Sequence, residues 1–139
     1  MARNNNWLAT RLASLHQEYF SDIKLANTIL VRFGRQSKTR LGSIKLKKIK
    51  NHHQPVSLIT INKLLQLAEV PDYVIDAVLA HELVHYCHGF SSPLPRLYRY
   101  PHQAGVVDKE LKKRGLNQIL QKEKRWTKQH FAKLWLSNT

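Results

Sequence analysis

Apolar residues recur at Leu8, Leu12, Leu15 and Tyr19, a spacing of three and four that predicts a helix over residues 7–20. The period then shortens to two. Ile29, Val31 and Phe33 share one face while Thr28, Leu30 and Arg32 share the other, which predicts a strand over 27–33 ending at Gly34. Residues 41–49 alternate again, with Leu41, Ser43, Lys45 and Lys47 set against Gly42, Ile44, Leu46 and Lys48. Ser57 to Ile61 is rich in β-formers and predicts a third strand. Asn51-His52-His53-Gln54-Pro55 reads as the turn before it, and its histidines as exposed loop residues.

From Pro71 the helical period returns. Val74, Val78, His81 and His85 form one stripe, with Ile75 and Leu79 beside it. Pro71 suits the first turn, Asp72 favours the positive end of the helix dipole, and Gly89 supplies a stop just past Cys87. Pro93, Pro95 and Pro101 exclude a regular helix or central strand from residues 90–101. A further helix is expected over roughly 102–113, closed by Gly115. A last, basic helix is expected over 117–136, carrying Ile119, Leu120, Trp126, Phe131, Leu134 and Trp135.

Helix, three strands, helix, loop, helix, helix is an α+β order in which helices pack on one small three-stranded sheet. With 139 residues and 42% hydrophobic content, the expectation is a single domain over 1–139. Its core is expected over about 8–116, with the basic helix appended. No apolar run approaches the roughly 20 residues that cross a bilayer, and the opening Met-Ala-Arg-Asn-Asn-Asn-Trp lacks the apolar centre of a signal peptide. The lone cysteine, Cys87, excludes an internal disulfide and a Cys-x-x-Cys ribbon. These features together give a cytoplasmic expectation, with nucleoid association as a variant of it.

Charge adds a partner class. The formal net charge is +14, and no acidic residue stands between Asp22 and Glu69. A single-sign field of this kind favours polyanions, nucleic acid first, in non-specific electrostatic contact. Arg35, Lys38, Arg40, Lys45, Lys47 and Lys48 are the candidate phosphate contacts in that stretch. Lys124, Arg125 and Lys128 are candidates in the last helix, where Trp126, Phe131 and Trp135 would either stack on bases or pack the helix onto the core.

The chemistry concentrates in His81-Glu82-Leu83-Val84-His85. Histidines four apart on a helix project to the same side and can bite one metal ion. Glu82 lies about 60° round the helix from His85, taking roughly 100° per residue, which suits reaching a water beside the metal better than ligating it. That arrangement suits zinc-assisted hydrolysis with Glu82 as general base. A catalytic zinc needs a third protein ligand and one open position. His88, His102, Asp108, Glu110 and His130 follow in the sequence. His88 is too near His85 to bend back easily. His102 is favoured, because the proline-bounded loop lets the chain reverse, and Glu110 is its rival. Tyr98 and Tyr100 are candidate oxyanion donors, set against ordinary loop packing. Cys87 is assigned no role.

The segment from Leu12 to Leu116 resembles the SprT-like domain family, which takes in the bacterial SprT proteins and Spartan-type zinc metalloproteases. The landmarks are Leu15-His16-Gln17-Glu18-Tyr19-Phe20, the strands around Val31-Arg32-Phe33 and Leu41-Gly42-Ser43, Ile59-Thr60-Ile61-Asn62, the helix Val74 to His85, and His102. The resemblance implies a minimal zincin-like fold, one catalytic Zn2+ held by His81, His85 and His102, Glu82 as base, and proteolysis of DNA-associated protein. The chain departs from the family in having Pro101 and Gln103 around the third histidine and no cysteine-rich ribbon after the domain. Two other outcomes stay open at this level. One is a DNA-binding module with a structural or idle zinc site. The other is a zinc peptidase that never meets DNA.

Overall fold

The computed structural model describes residues 3–139. The chain opens with α1 (Asn5–Tyr19), whose first turn is closed by the Asn4 side chain accepting from the Trp7 N–H. Leu8, Leu12 and Leu15 bury its inner stripe. Three strands follow: β1 (Ile29–Phe33), β2 (Gly42–Lys47) and β3 (Val56–Ile61). Their spatial order is β1-β3-β2, with β1 parallel and β2 antiparallel to the central β3. β3 is accordingly buried along almost its whole length. Ile29, Val31, Phe33 and Ile44 pack onto the core, as the alternation predicts. The opposite face carries Arg32, Lys45 and Lys47, all exposed.

The central element is α2 (Asp72–Cys87). It touches α1, β2, β3 and both α3 (Val106–Lys113) and α4 (Asn117–Trp126). Neighbours on every side explain why it is apolar nearly all round rather than striped. Ion pairs clamp it further. Arg11 of α1 grips Asp76, and Arg3 donates to the carbonyls of Leu65 and Leu67 and to the Asp72 carboxylate. Among the described residues no helix is long and apolar enough to cross a membrane.

How α2 ends decides where the chain goes next. Gly89 has φ +81, and a Cβ there would stand 2.3 Å from the Pro95 carbonyl oxygen. Only glycine admits both the left-handed turn and that close approach. The loop folds back over the helix end, held by Phe90 N–H to the His85 carbonyl at 2.9 Å and Leu97 N–H to the His88 carbonyl at 3.0 Å.

Two expectations change. The helix expected from residue 102 begins at Val106. Ala104 at φ 51 and Gly105 at φ 67 are both left-handed and break the α-helical path, so His102 leads a short 3-10 turn instead. The final helix is interrupted by a π-turn at Thr127–Phe131 and resumes as α5 (Ala132–Ser137). Trp126, Phe131 and Leu134 are buried in the core and Trp135 packs against it. Trp126 and Phe131 hold the helix down, and Trp135 is partly buried beside them.

Candidate metal centre

His81 and His85 project from one side of α2, and the returning loop delivers His102 to them. The three Nε2 atoms form a near-equilateral triangle: 3.1 Å between His81 and His85, 3.2 Å between His81 and His102, and 3.1 Å between His85 and His102. They are the group of side chains among the described residues able to hold a metal ion. The spacing fits one. Zn–N bonds of about 2.05 Å in a tetrahedron place nitrogens roughly 3.3 Å apart. Three nitrogens at that spacing cover one face of the ion and leave the other side free. Metal-free imidazoles meeting this way would need tautomers that let nitrogen donate to nitrogen around a closed ring, and three such contacts cannot all be well formed.

The other sequence candidates are occupied elsewhere. His88 is buried, with its Nε2 3.8 Å from the Glu110 carboxylate and its ring 4.9 Å from that of Tyr98. Glu110 also accepts from the Arg114 Nε at 2.7 Å. Asp108 accepts from Lys124 at 2.5 Å, and His130 lies beside Trp126. The structure therefore gathers His102, and not Glu110, with His81 and His85. Neither phenol lines the cleft at the triad. Tyr98 lies against His88, and Tyr100 is 58% exposed. His52 and His53 are exposed, as expected.

Electrostatics favour the ligating forms. Burial lowers the His81 pKa to about 4 and the His85 pKa to about 3, so both imidazoles are neutral at pH 7. A neutral ring that offers Nε2 carries its proton on Nδ1, and the Nδ1 of His85 is buried without a partner. Burial pushes the Glu82 carboxyl up to about 7, against the opposing charge of Arg40. Burial likewise pushes the Cys87 thiol up to about 12, which keeps it an inert core residue.

Glu82 faces β2. A Cβ on Gly42 would fall 2.6 Å from Val78 and 3.4 Å from a Glu82 carboxylate oxygen, so the glycine is what lets helix and carboxyl approach the strand. Glu82 and the three histidines line one cleft of about 750 Å³, walled by residues 42–45 of β2 on one side and by Phe90, Ser91 and Arg96 on the other. Among the described residues, the far edge of β2 has no strand beside it. The Asn62 N–H donates to the Leu41 carbonyl. By antiparallel alternation, the backbone groups of Gly42, Ile44 and Leu46 then point to that free edge. Of these, the Ile44 carbonyl accepts from the Ser91 hydroxyl at 3.1 Å.

A second hollow, of about 890 Å³, lies across the sheet face turned from the helices. Of the basic candidates, Arg35, Arg40, Lys45 and Lys47 line it, joined by Arg32. Lys38 and Lys48 are exposed in the neighbouring loop and strand end. Arg125 and Lys128 are exposed on the separate C-terminal helix, and Lys124 is neutralised by Asp108.

Gly42, Phe90 and Arg96 were not among the candidates read from the sequence. A glycine inside an alternating strand signals close backbone approach, so Gly42 was findable. Phe90 and Arg96 sit in an aperiodic loop that carries no such signal. No family model, curated protein or solved structure matches this chain.

Proposed function

We propose that this chain is a zinc-dependent peptide hydrolase of SprT-like type, with a minimal zincin-like fold, acting on DNA-associated protein. One observation carries the reading: three imidazole nitrogens converge at 3.1–3.2 Å in the cleft that also holds the buried carboxyl of Glu82. An all-imidazole set suits zinc among common divalent ions. When bound, zinc would supply Lewis acidity toward a water and a substrate carbonyl. His81, His85 and His102 would hold it. Glu82 takes up the proton released in the attack at a carboxylate oxygen and returns it to the departing amine nitrogen. The free edge of β2 pairs with an extended peptide, and the unclaimed N–H and C=O of Gly42 are nearest to Glu82.

A structural site in a binding module is less well supported. Structural zinc is usually closed by four protein ligands, and three donors are gathered here among the described residues. The test is to measure zinc in the purified protein and its action on an unfolded protein substrate before and after chelation. One zinc per chain and cleavage that stops with chelator and returns with zinc are expected. Zinc without any cleavage would favour the binding module.

The DNA part rests on the basic sheet face. Affinity for a single-stranded oligonucleotide should fall steeply with salt, by a log–log slope of about −0.7 for each phosphate neutralised. Arg32→Gln with Lys47→Gln should flatten that slope. No binding at roughly 50 mM salt, where phosphate contacts are strong, would remove DNA and leave the peptide hydrolase standing.

A further inference from the structure

We infer that the cleft selects peptides bearing carboxylate side chains beside the bond it holds, and that Arg40 and Arg96 read them. The inference rests on the peptide-hydrolase reading and names its substrate class. The cleft is lined by three cations, Arg40, Lys45 and Arg96, and by one carboxylate, Glu82, which is only 4% exposed. None of those cations is ion-paired among the described residues, although Arg3, Arg11, Arg114 and Lys124 all are. The cleft arginines are left with free N–H donors.

The Arg96 guanidinium hangs from a fixed support, and the backbone that carries Arg40 is pinned. Arg96 lies over the Phe90 ring at 4.6 Å, and Phe90 is tied by its N–H to the carbonyl of the ligand His85 at 2.9 Å. Stacking holds the planar fork while its edges stay open to a bidentate carboxylate. Arg40 enters from the other wall. The buried Asn62 amide donates to the Ser37 and Arg40 carbonyls at 2.8 and 2.9 Å and pins that loop. A peptide laid along β2 therefore passes between two cations, Arg96 stacked on Phe90 and Arg40 carried by a pinned loop. Acidic side chains would neutralise them, and lysine-rich peptides would meet like charge on both sides.

A nucleic acid is the other anion of suitable charge. The free strand edge favours a peptide, because its N–H and C=O groups match a peptide backbone and not a sugar-phosphate one. The cationic hollow on the sheet's other face borders the cleft at Arg40 and Lys45 and adds Arg32, Arg35 and Lys47, which the cleft lacks, as a surface for phosphates.

The test uses the full-length, zinc-loaded Glu82→Gln protein, which can bind without turning over. Three fluorescent peptides differ only in having Glu, Gln or Lys at the flanking positions. The Glu peptide should bind at least about tenfold tighter than the Gln peptide, and the Lys peptide weakest. Arg96→Gln and Arg40→Gln should each lower the ratio of Glu-peptide to Gln-peptide affinity, and the double substitution should erase most of it. Arg32→Gln, on the opposite face, should leave the preference intact. Equal binding of the Glu and Gln peptides overturns the inference. So does a preference that survives both cleft substitutions, or one that follows Arg32 and is abolished by an oligothymidine competitor. Wild-type protein tells the two levels apart. Equal kcat/KM on Glu and Gln peptides defeats this inference alone, whereas no cleavage of any peptide, with no binding, defeats the hydrolase reading with it.

Discussion

Glu82→Gln should lower peptide hydrolysis by about 10²–10⁴-fold, the range a positioned general base supplies, while the protein keeps its zinc and its fold. The carboxyl is 4% exposed and packs toward Gly42 and Val78. Glutamine has the same shape, so this packing survives. It also removes an ionisable group from a buried position, which gives no reason for a lower melting temperature. The amide cannot accept the proton, and only the chemical step suffers. Zinc content, melting temperature and kcat on an unfolded substrate separate the outcomes. Unchanged kcat would mean that Glu82 is not the base. Loss of zinc together with activity would mean that its carboxyl holds the metal or the site, contrary to the triangle formed by three histidines alone.

The same three histidines show how far the sequence could be read. A run with two histidines four apart needs only helical geometry, and Pro71, Asp72 and Gly89 mark the ends of the helix that carries it. Alternation separated the two faces of β1, with Ile29, Val31 and Phe33 against the core and Arg32 outside, because side chains on a strand alternate whatever its partners are. Strand order was not legible, since β1 pairs with β3 across an intervening strand and that choice depends on contacts distant in sequence. His102 was identified as the favoured third ligand, but its setting was misjudged. Two left-handed residues, one of them an alanine, hold it ahead of the helix, and alanine does not announce that conformation. The rival candidates have partners that spacing cannot reveal: Glu110 accepts from Arg114, and Tyr98 lies against His88. Charge was legible as a total but not as a distribution of free and paired groups. Lys124 looks like its neighbours in the sequence and pairs with Asp108 in the fold, whereas Arg96 in the cleft has no ion-pair partner among the described residues.

His102→Ala should abolish most of the thermal stabilisation that zinc confers and leave the metal-free protein almost as stable as before. A ligand that binds only the folded chain stabilises it by about 4 kcal/mol at a thousand times its Kd. For a domain near this size that is a rise of roughly 10–20 °C in melting temperature. His102 is exposed, and its ring meets the rings of His81 and His85. Truncating it therefore opens no core cavity, and metal-free stability should hold. With one corner of the nitrogen triangle gone, two histidines on α2 remain, and zinc should bind far more weakly. Glu110→Gln gives the opposite pattern. It weakens the partnership with Arg114 and His88 that ties α3 to the end of α2, so metal-free stability should fall while the zinc-dependent rise persists. Calorimetry of both variants, with and without zinc, reads the two quantities independently. A zinc-dependent rise kept by His102→Ala and lost by Glu110→Gln would transfer the third ligand to Glu110. It would also require α3 to turn its carboxylate away from Arg114 when the metal binds.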